Sequence, residues 1–372
     1  MENPVEVREE LVEPLLTWYG IHARELPWRI EKNPYQIWIS EIMLQQTRVE
    51  AVKPYYERFL KAFPNVTQLA AAHEDTLLKL WEGLGYYNRV RNLQKAAILM
   101  VEQYNGTMPK NYEELLALPG IGTYTAGAIA SIAYGACVPA IDGNVLRIIA
   151  RVEADYSDIA SPKVKKELEV AMKPVIPAGR AGDFNQALME LGATVCLPNG
   201  APNCSQCPWK QLCQSYERNL TTTLPIKAAK KKRVIEEKTI LVIQDQSRVL
   251  LRKRNSKGLL AGMYEFPSIE GYVDQSHILA YMKQLGYPAI RLKELDESKH
   301  IFSHREWHMK GYLIMVDELL ISGNGHKMDA SLQLIETIET ERHYPIPAAF
   351  AKYAAYLNIK LGQDKYRDDT SI

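Results

Sequence analysis

The stretch that most restricts how this 372-residue chain can fold is LPGIGTYTAGAI, residues 118–129, followed by VPAIDGNVLR at 138–147. Pro119, Gly120 and Gly122 make a tight Gly-x-Gly turn, and Thr123 onward reads as the start of a helix. Glycine accepts positive φ and lets another backbone come close. A helix start offers unpaired N–H groups and the positive end of the dipole, a ready seat for a phosphate. Two readings are open for such a turn. One is an ordinary Pro-Gly corner between core helices; the other is a helix-hairpin-helix, which grips one DNA strand by its phosphates without reading bases. The flanking residues and Asp142 favour the second.

The surrounding pattern is helical. Val7, Leu11, Leu15, Trp18 and Tyr19 recur at helical spacing in 4–22. LPWR at 26–29 breaks that helix, and a helical region over 34–52 begins at Pro34. Further helices are expected near 53–62, 66–72, 74–82, 88–104, 111–117, 143–153, 161–173 and 182–195, with Asn65 and Asn111 as caps. Up to Tyr216 there is almost no strand signal, so this part is read as all-α. A polar, basic stretch at 217–233, ending in AAKKKR, reads as a linker. Beyond it KTILVIQD alternates, turns at Gln246-Ser247 and continues as RVLLRKR, a β-hairpin. With a helix near 274–285, a strand near 307–316, a helix near 347–359 and a frayed tail at 363–372, this second part is α+β.

Composition bounds the function only loosely. A formal net charge of +1 does not announce a nucleic-acid partner, so DNA affinity must come from helix ends and local basic groups. No apolar run reaches membrane-spanning length, and the acidic start does not read as a signal peptide. A soluble cytoplasmic protein with no membrane partner is therefore expected.

Several residue groups can carry chemistry. Glu41 sits in IWISEIMLQQT among Ile37, Trp38, Leu44 and Gln45. It is either a surface glutamate on a helix edge or a carboxyl whose apolar walls raise its pKa enough to make it a general acid. Asp142, ahead of Gly143 and Asn144, is placed to cap the next helix, a role compatible with an ionised carboxylate beside a cationic centre. Two carboxyls pushed apart in pKa are the pattern of glycosidic-bond cleavage. Gln45, Gln46, Thr47 and Arg48 crowd polar groups at one helix end, within reach of base edges or phosphates. GLGYYNRVRNL at 83–93 sets tyrosines beside arginines, either a stacking surface for an unpaired base or a tyrosine-rich core edge. Cys196, Cys204, Cys207 and Cys213 form C-x7-C-x2-C-x5-C, a spacing that suits either zinc or a [4Fe–4S] cluster. Cys137 reads as a buried apolar residue.

At LPWR, SEIMLQQTRVE, WEGLGYYNRVRNL, LPGIGTYTAGAI, VPAIDGNVLRI, FNQALMELGA and the four cysteines, the chain resembles the MutY-type adenine DNA glycosylases of the helix-hairpin-helix base-excision superfamily. The resemblance is close over about 10–216 and looser beyond. It implies a multidomain fold: an all-α helix-hairpin-helix glycosylase domain with an iron–sulfur loop (1–216), then an α+β Nudix-like domain (234–362). In the first domain a six-helix module of about 32–140, with the hairpin at 112–135, would face an iron–sulfur subdomain made of 1–31 and 141–216.

Adenine opposite 8-oxoguanine or G in double-stranded DNA would be flipped into a cleft, protonated by Glu41 and released, with Asp142 stabilising the oxocarbenium ion. Tyr124 and Asn144 would position these carboxyls. Trp28, Arg29, Leu44 and Gln186 would form the adenine pocket, and Gln46, Thr47, Leu84 and Tyr86 a wedge at the opposite base. Tyr124 stands where endonuclease III relatives carry a Schiff-base lysine, so the family's monofunctional chemistry is expected. The resemblance also implies one [4Fe–4S] cluster on the four cysteines, whose first spacing is one residue longer than the family's usual one, and a cation at the hairpin turn. A nucleoid-associated monomer is implied with it. In the Nudix-like part, GLLAGMYEFP (258–267) matches, but 274–285 offers only Asp274 where a Mg²⁺-binding acidic helix would stand. A recognition module results, with Phe302, Ser303 and His304 of HIFSH sensing 8-oxoguanine. Two other readings remain: a mismatch thymine glycosylase of the same superfamily, and a non-catalytic lesion-binding protein.

Overall fold

A computed structural model describes residues 7–228, 232–319, 331–362 and 364. Residues 229–231 of the basic run and, Asp364 apart, the expected tail at 363–372 lie outside the described residues. The chain divides into two compact units, Met1–Ala71 with Asn92–Ala229, and Ala72–Arg91 with Lys230–Ile372.

Helices in chain order are α1 Val12–His22, α2 Pro27–Ile30, α3 Pro34–Leu44, α4 Val49–Ala62, α5 Val66–Ala70, α6 Glu74–Leu80, α7 Asn88–Tyr104, α8 Tyr112–Leu116, α9 Thr123–Tyr134, α10 Gly143–Val152, α11 Pro162–Met172, α12 Ala181–Thr194 and α13 Gln214–Glu217. Their starts follow local chemistry. Asn33, Asn65 and Asn111 accept hydrogen bonds from backbone N–H groups at the starts of α3, α5 and α8. No strand occurs among the described residues of this part, as the sequence pattern predicts.

One boundary differs. The helical region expected over 34–52 breaks at Gln45–Arg48, where Gln46 takes φ +59, and Pro54 sits inside α4. The boundary expected between 52 and 53 thus falls inside α4, which runs on through Pro54, and the left-handed Gln46 makes the break instead.

In the first unit, one core joins α1, α10 and α12 through Leu15, Leu16, Ile148, Ile149, Phe184 and Leu188. Helix α9 packs on α3 and α12. Gly127 sets one close approach: a Cβ there would come 2.1 Å from the Pro139 carbonyl oxygen. With glycine, the 138–140 segment lies against α9, which brings the start of α10 beside the helix that carries Tyr124. Cys137, in the preceding loop, is exposed, contrary to the buried position expected of it. The α9 cap at Gly135 ends the helix two residues earlier, and the loop turns the thiol outward.

The linker segment starts ordered. Leu224 is buried, and its carbonyl accepts from Arg151 Nε at 2.8 Å. In the second unit, β1 Val234–Gln244, β2 Arg248–Lys253, β3 Tyr264–Glu265, β4 Ser268–Glu270, β5 Ala289–Ile301, β6 Arg305–Val316 and β7 Leu332–Glu336 form one mixed sheet. Its order is β3-β2-β1-β6-β5, with β4 on β1 and β7 on β2. The expected hairpin is β1–β2, while β1 and β6 run parallel.

Alternation along β1 sends Ile240 and Val242 to one face and Leu241 and Ile243 to the other. One face packs against α14 Gln275–Gln284 through Ile278 and Met282, the other against α16 Ala351–Ala354. Between them in sequence, α15 Thr337–His343 follows β7 directly. Asp274 caps α14, accepting from the His277 N–H at 3.0 Å, so the one acid of that helix has a structural job. No helix of the described residues is long and apolar enough to cross a membrane.

Candidate active site

Glu41 lies on α3, buried with its neighbours Ile37 and Trp38. Burial pushes its carboxyl up to about 7, opposed by a hydrogen bond from the Tyr124 hydroxyl and reinforced by the nearby charge of Asp142. Tyr124, one residue into α9, donates to Glu41 Oε2 in a short bond and lies 3.1 Å from Met189 Sδ on α12. Because Oε2 is occupied as an acceptor, a proton on Glu41 belongs on Oε1.

Asp142 is the α10 cap. Its Oδ1 accepts from the N–H groups of Asn144 (2.8 Å) and Val145 (2.9 Å), and its Oδ2 from Asn144 Nδ2 (2.7 Å). Burial raises this carboxyl, while these hydrogen bonds and the charge of Arg147 work to hold it ionised. One helix start thus fixes both oxygens.

Asn144 is itself oriented: its Oδ1 accepts from Arg147 Nη2 at 2.9 Å. Arg147 Nη2 also donates to Gly192 O (2.7 Å), and its Nε to Cys196 O (2.9 Å). Arg147 is spaced i, i+3 from Asn144, so the contact is visible in sequence only once the helix is known.

Trp28 is buried, edge-on to Tyr56 at 5.3 Å. Arg29 is held by Glu190 Oε2 at 2.8 Å, and Arg24 Nε reaches Glu190 Oε1 at 2.6 Å. Burial alone would raise the Glu190 carboxyl, but the hydrogen bonds and charges of the two arginines keep it below the usual range. The sequence reading missed Arg24, Glu190 and Met189; the signal for the last two was their place one turn after Gln186 on α12. Leu44 and Gln186 are partly buried, Leu44 at the end of α3.

Of the groups assigned to the opposite base, Gln46 and Arg48 are exposed and Thr47 partly so. Leu84 is buried at 7% exposure, whereas Tyr86 stands 50% exposed with φ +50. These two belong to the second unit, and Gln46, Thr47 and Arg48 to the first. Phe302 packs on Trp307 at 4.8 Å, in the turn between β5 and β6, and leaves Ser303 and His304 outward.

The hairpin glycines differ in kind. Gly120 has φ +77, and a Cβ there would meet Asn92 Cβ at 2.6 Å. Gly122 is extended, at φ −94, and a Cβ there would meet nothing within 4 Å. Gly120→Ala should therefore cost about 1–3 kcal/mol of stability. Gly122→Ala, at the N-cap of α9, should cost no more than about 1 kcal/mol, and if the turn seats a phosphate it should weaken duplex binding as well. Thermal melting with a binding titration checks both.

Cys196, Cys204, Cys207 and Cys213 border one pocket together with Arg151 and Lys210. Burial pushes the Cys207 thiol up to about 12 and raises those of Cys204 and Cys213, and charge on neighbouring cysteines adds to it. A cationic group among them would relieve this and take four thiolates. Among the described residues, no three His, Cys, Asp or Glu side chains are grouped as around a single metal ion.

Residues 39–174 match the HhH-GPD superfamily of base excision DNA repair proteins, and residues 239–356 match the NUDIX domain. The adenine DNA glycosylase of Buchnera aphidicola subsp. Baizongia pistaciae is 37% identical over 316 residues, 84% of this chain and 88% of that protein. The chain belongs to the adenine DNA glycosylases. Mouse adenine DNA glycosylase is likewise 37% identical, over 82% of this chain and 70% of that protein. A solved thermostable thymine-DNA glycosylase is similar in fold, with TM-score 0.50 and 29% identity over 56% of this chain and 96% of its own. Family membership thus rests on relatives that span both parts of the chain.

Proposed function

We propose that this family member hydrolyses the N-glycosidic bond of adenine mispaired with 8-oxoguanine, and with G, in double-stranded DNA, and leaves an abasic site. The observation that carries the reading is the pair of carboxyls in different settings: Glu41, lifted to about 7 by burial, and Asp142, held by three hydrogen bonds at a helix start. Near neutrality Glu41 holds a proton on Oε1 and gives it to N7 of the flipped adenine, so the base leaves neutral. Asp142 faces the cationic sugar, and water completes the hydrolysis. Asn144 keeps Asp142 aimed, and Tyr124 keeps Glu41 aimed. Trp28, Arg29, Leu44 and Gln186 form the adenine pocket, with Arg29 fixed by Glu190.

Tyr124 has no amine with which to form an imine, which supports a monofunctional enzyme. The hairpin at Gly120 and Gly122 seats a phosphate and a bound cation. Gln46, Thr47, Arg48, Leu84 and Tyr86 meet the opposite base and its strand, and Phe302, Ser303 and His304 sense 8-oxoguanine. Cys196, Cys204, Cys207 and Cys213 would hold a [4Fe–4S] cluster, which when bound ties the 196–213 loop together. A brown protein with broad absorption at the visible–ultraviolet boundary supports that assignment, and stoichiometric zinc in a colourless protein contradicts it.

The test is single-turnover base release from A:8-oxoG, A:G and T:G duplexes by the wild type and by Ser303→Ala/His304→Ala. The wild type should release adenine fastest opposite 8-oxoguanine, and the double variant should lose that preference. Preferential thymine release would move the chain to mismatch-thymine repair, and tight binding without turnover would make it a lesion binder.

A further inference from the structure

The segment Ala72–Arg91, which carries α6 and the GLGYY loop, belongs to the second unit, with the sheet, although it sits deep within the helical part of the sequence. What fastens it is buried. Lys79 (7% exposed) and Glu82 (1% exposed) pair at 3.0 Å. Lys79 Nζ also donates to the carbonyls of Thr340 (2.9 Å) and Tyr344 (2.9 Å), at the last turn of α15 and just past it. Glu82 accepts from the N–H groups of Ile346 (2.8 Å, Oε1) and Gly362 (3.0 Å, Oε2). A buried ion pair rarely stabilises a fold more than apolar residues of the same volume would, so its use lies in fixing one arrangement.

Here that arrangement has an outlet. Glu82 immediately precedes the loop, and four residues on Tyr86 holds its hydroxyl 3.3 Å from Ser303 Oγ on the sensing turn. Tyr86 does so at φ +50, a conformation that surrounding structure must enforce.

We propose that Lys79 and Glu82 are positioning residues for opposite-base discrimination: the buried pair locks the GLGYY loop to the sheet unit so that Tyr86 and Ser303 act as one reader. The inference rests on the 8-oxoguanine reading given above. Both side chains are buried and so act through Tyr86.

The experiment compares single-turnover adenine release from A:8-oxoG and A:G duplexes by the full-length wild type, Lys79→Met, Glu82→Gln and the conservative Lys79→Arg. In Lys79→Met and Glu82→Gln the ratio of the two rates should fall about tenfold, equivalent to ~1.4 kcal/mol of discrimination. The A:G rate should stay within about twofold, and Lys79→Arg should keep the wild-type ratio. Parallel loss of both rates, or an unchanged ratio, overturns the proposal, since a merely structural pair would not move the ratio. Should those variants not fold, Glu82→Asp carries the test, since it keeps the charge but shortens the reach to the Ile346 and Gly362 N–H groups. A fallen ratio with the A:G rate kept supports the proposal, and an unchanged ratio overturns it. A wild-type ratio near one would overturn the 8-oxoguanine reading itself and this inference with it.

Discussion

Glu41→Gln should slow adenine release by about 100- to 10,000-fold, the range that general acid catalysis supplies, and at the same time make the protein more stable. Glutamine keeps the shape and still accepts from the Tyr124 hydroxyl, but it has no proton to give. The stability gain follows from the raised pKa. An unfolded glutamate titrates near 4.5 and the folded one at about 7, so between these values the folded state binds more protons. Stability therefore falls as pH rises through that window, by about 3 kcal/mol in total at ~1.4 kcal/mol per pH unit. The variant escapes this penalty. Urea unfolding of both proteins at pH 8 should show Glu41→Gln the more stable by about that amount, and at pH 4.5 the two should agree within about 0.5 kcal/mol. Equal stability at pH 8 would mean that Glu41 is not buried as an acid.

Asp142 caps α10, and in the proposed mechanism it also stabilises the cationic sugar; Asp142→Asn separates these two jobs. Asparagine caps helices as well as aspartate does, so folding should be changed by less than about 1 kcal/mol. Only one acceptor oxygen remains, however, so the Asn144 amide meets another amide nitrogen, and the negative charge facing the sugar is gone. Base release should fall by about 100- to 1,000-fold or more, the usual cost of losing one preorganised electrostatic group, while binding to an A:8-oxoG duplex persists. Single-turnover kinetics and a binding titration on the same preparation distinguish this from misfolding. If release survives at wild-type rates, the cationic sugar is stabilised elsewhere.

What could be read from sequence divides along the lines of locality. Helix starts at Asn65, Asn111 and Asp142 depend on residues two or three apart, and the pattern exposes them. The alternation of β1 likewise announces a sheet with two covered faces. Glu41 was legible as a buried carboxyl with a raised pKa because its apolar neighbours lie one helical turn away. Other features depend on partners far along the chain. Glu190 matters because Arg24 and Arg29, some 160 residues earlier, converge on it. Lys79 and Glu82 look like an ordinary i, i+3 pair on a surface helix until residues beyond 340 enclose them. The break at Gln46 was missed because 45–48 holds neither glycine nor proline to mark a left-handed turn, and Cys137 was misplaced because its apolar neighbours describe composition, not direction.

The most direct test of the account is the pH dependence of single-turnover adenine release from an A:8-oxoguanine duplex by the wild type, between pH 5 and 9, with strand integrity read before and after alkali. Glu41 acting as the acid predicts a rate that falls about tenfold per pH unit above about 7, free adenine as product, and strands that break only after alkali. A flat profile through pH 9, or strands already cut before alkali, would contradict it.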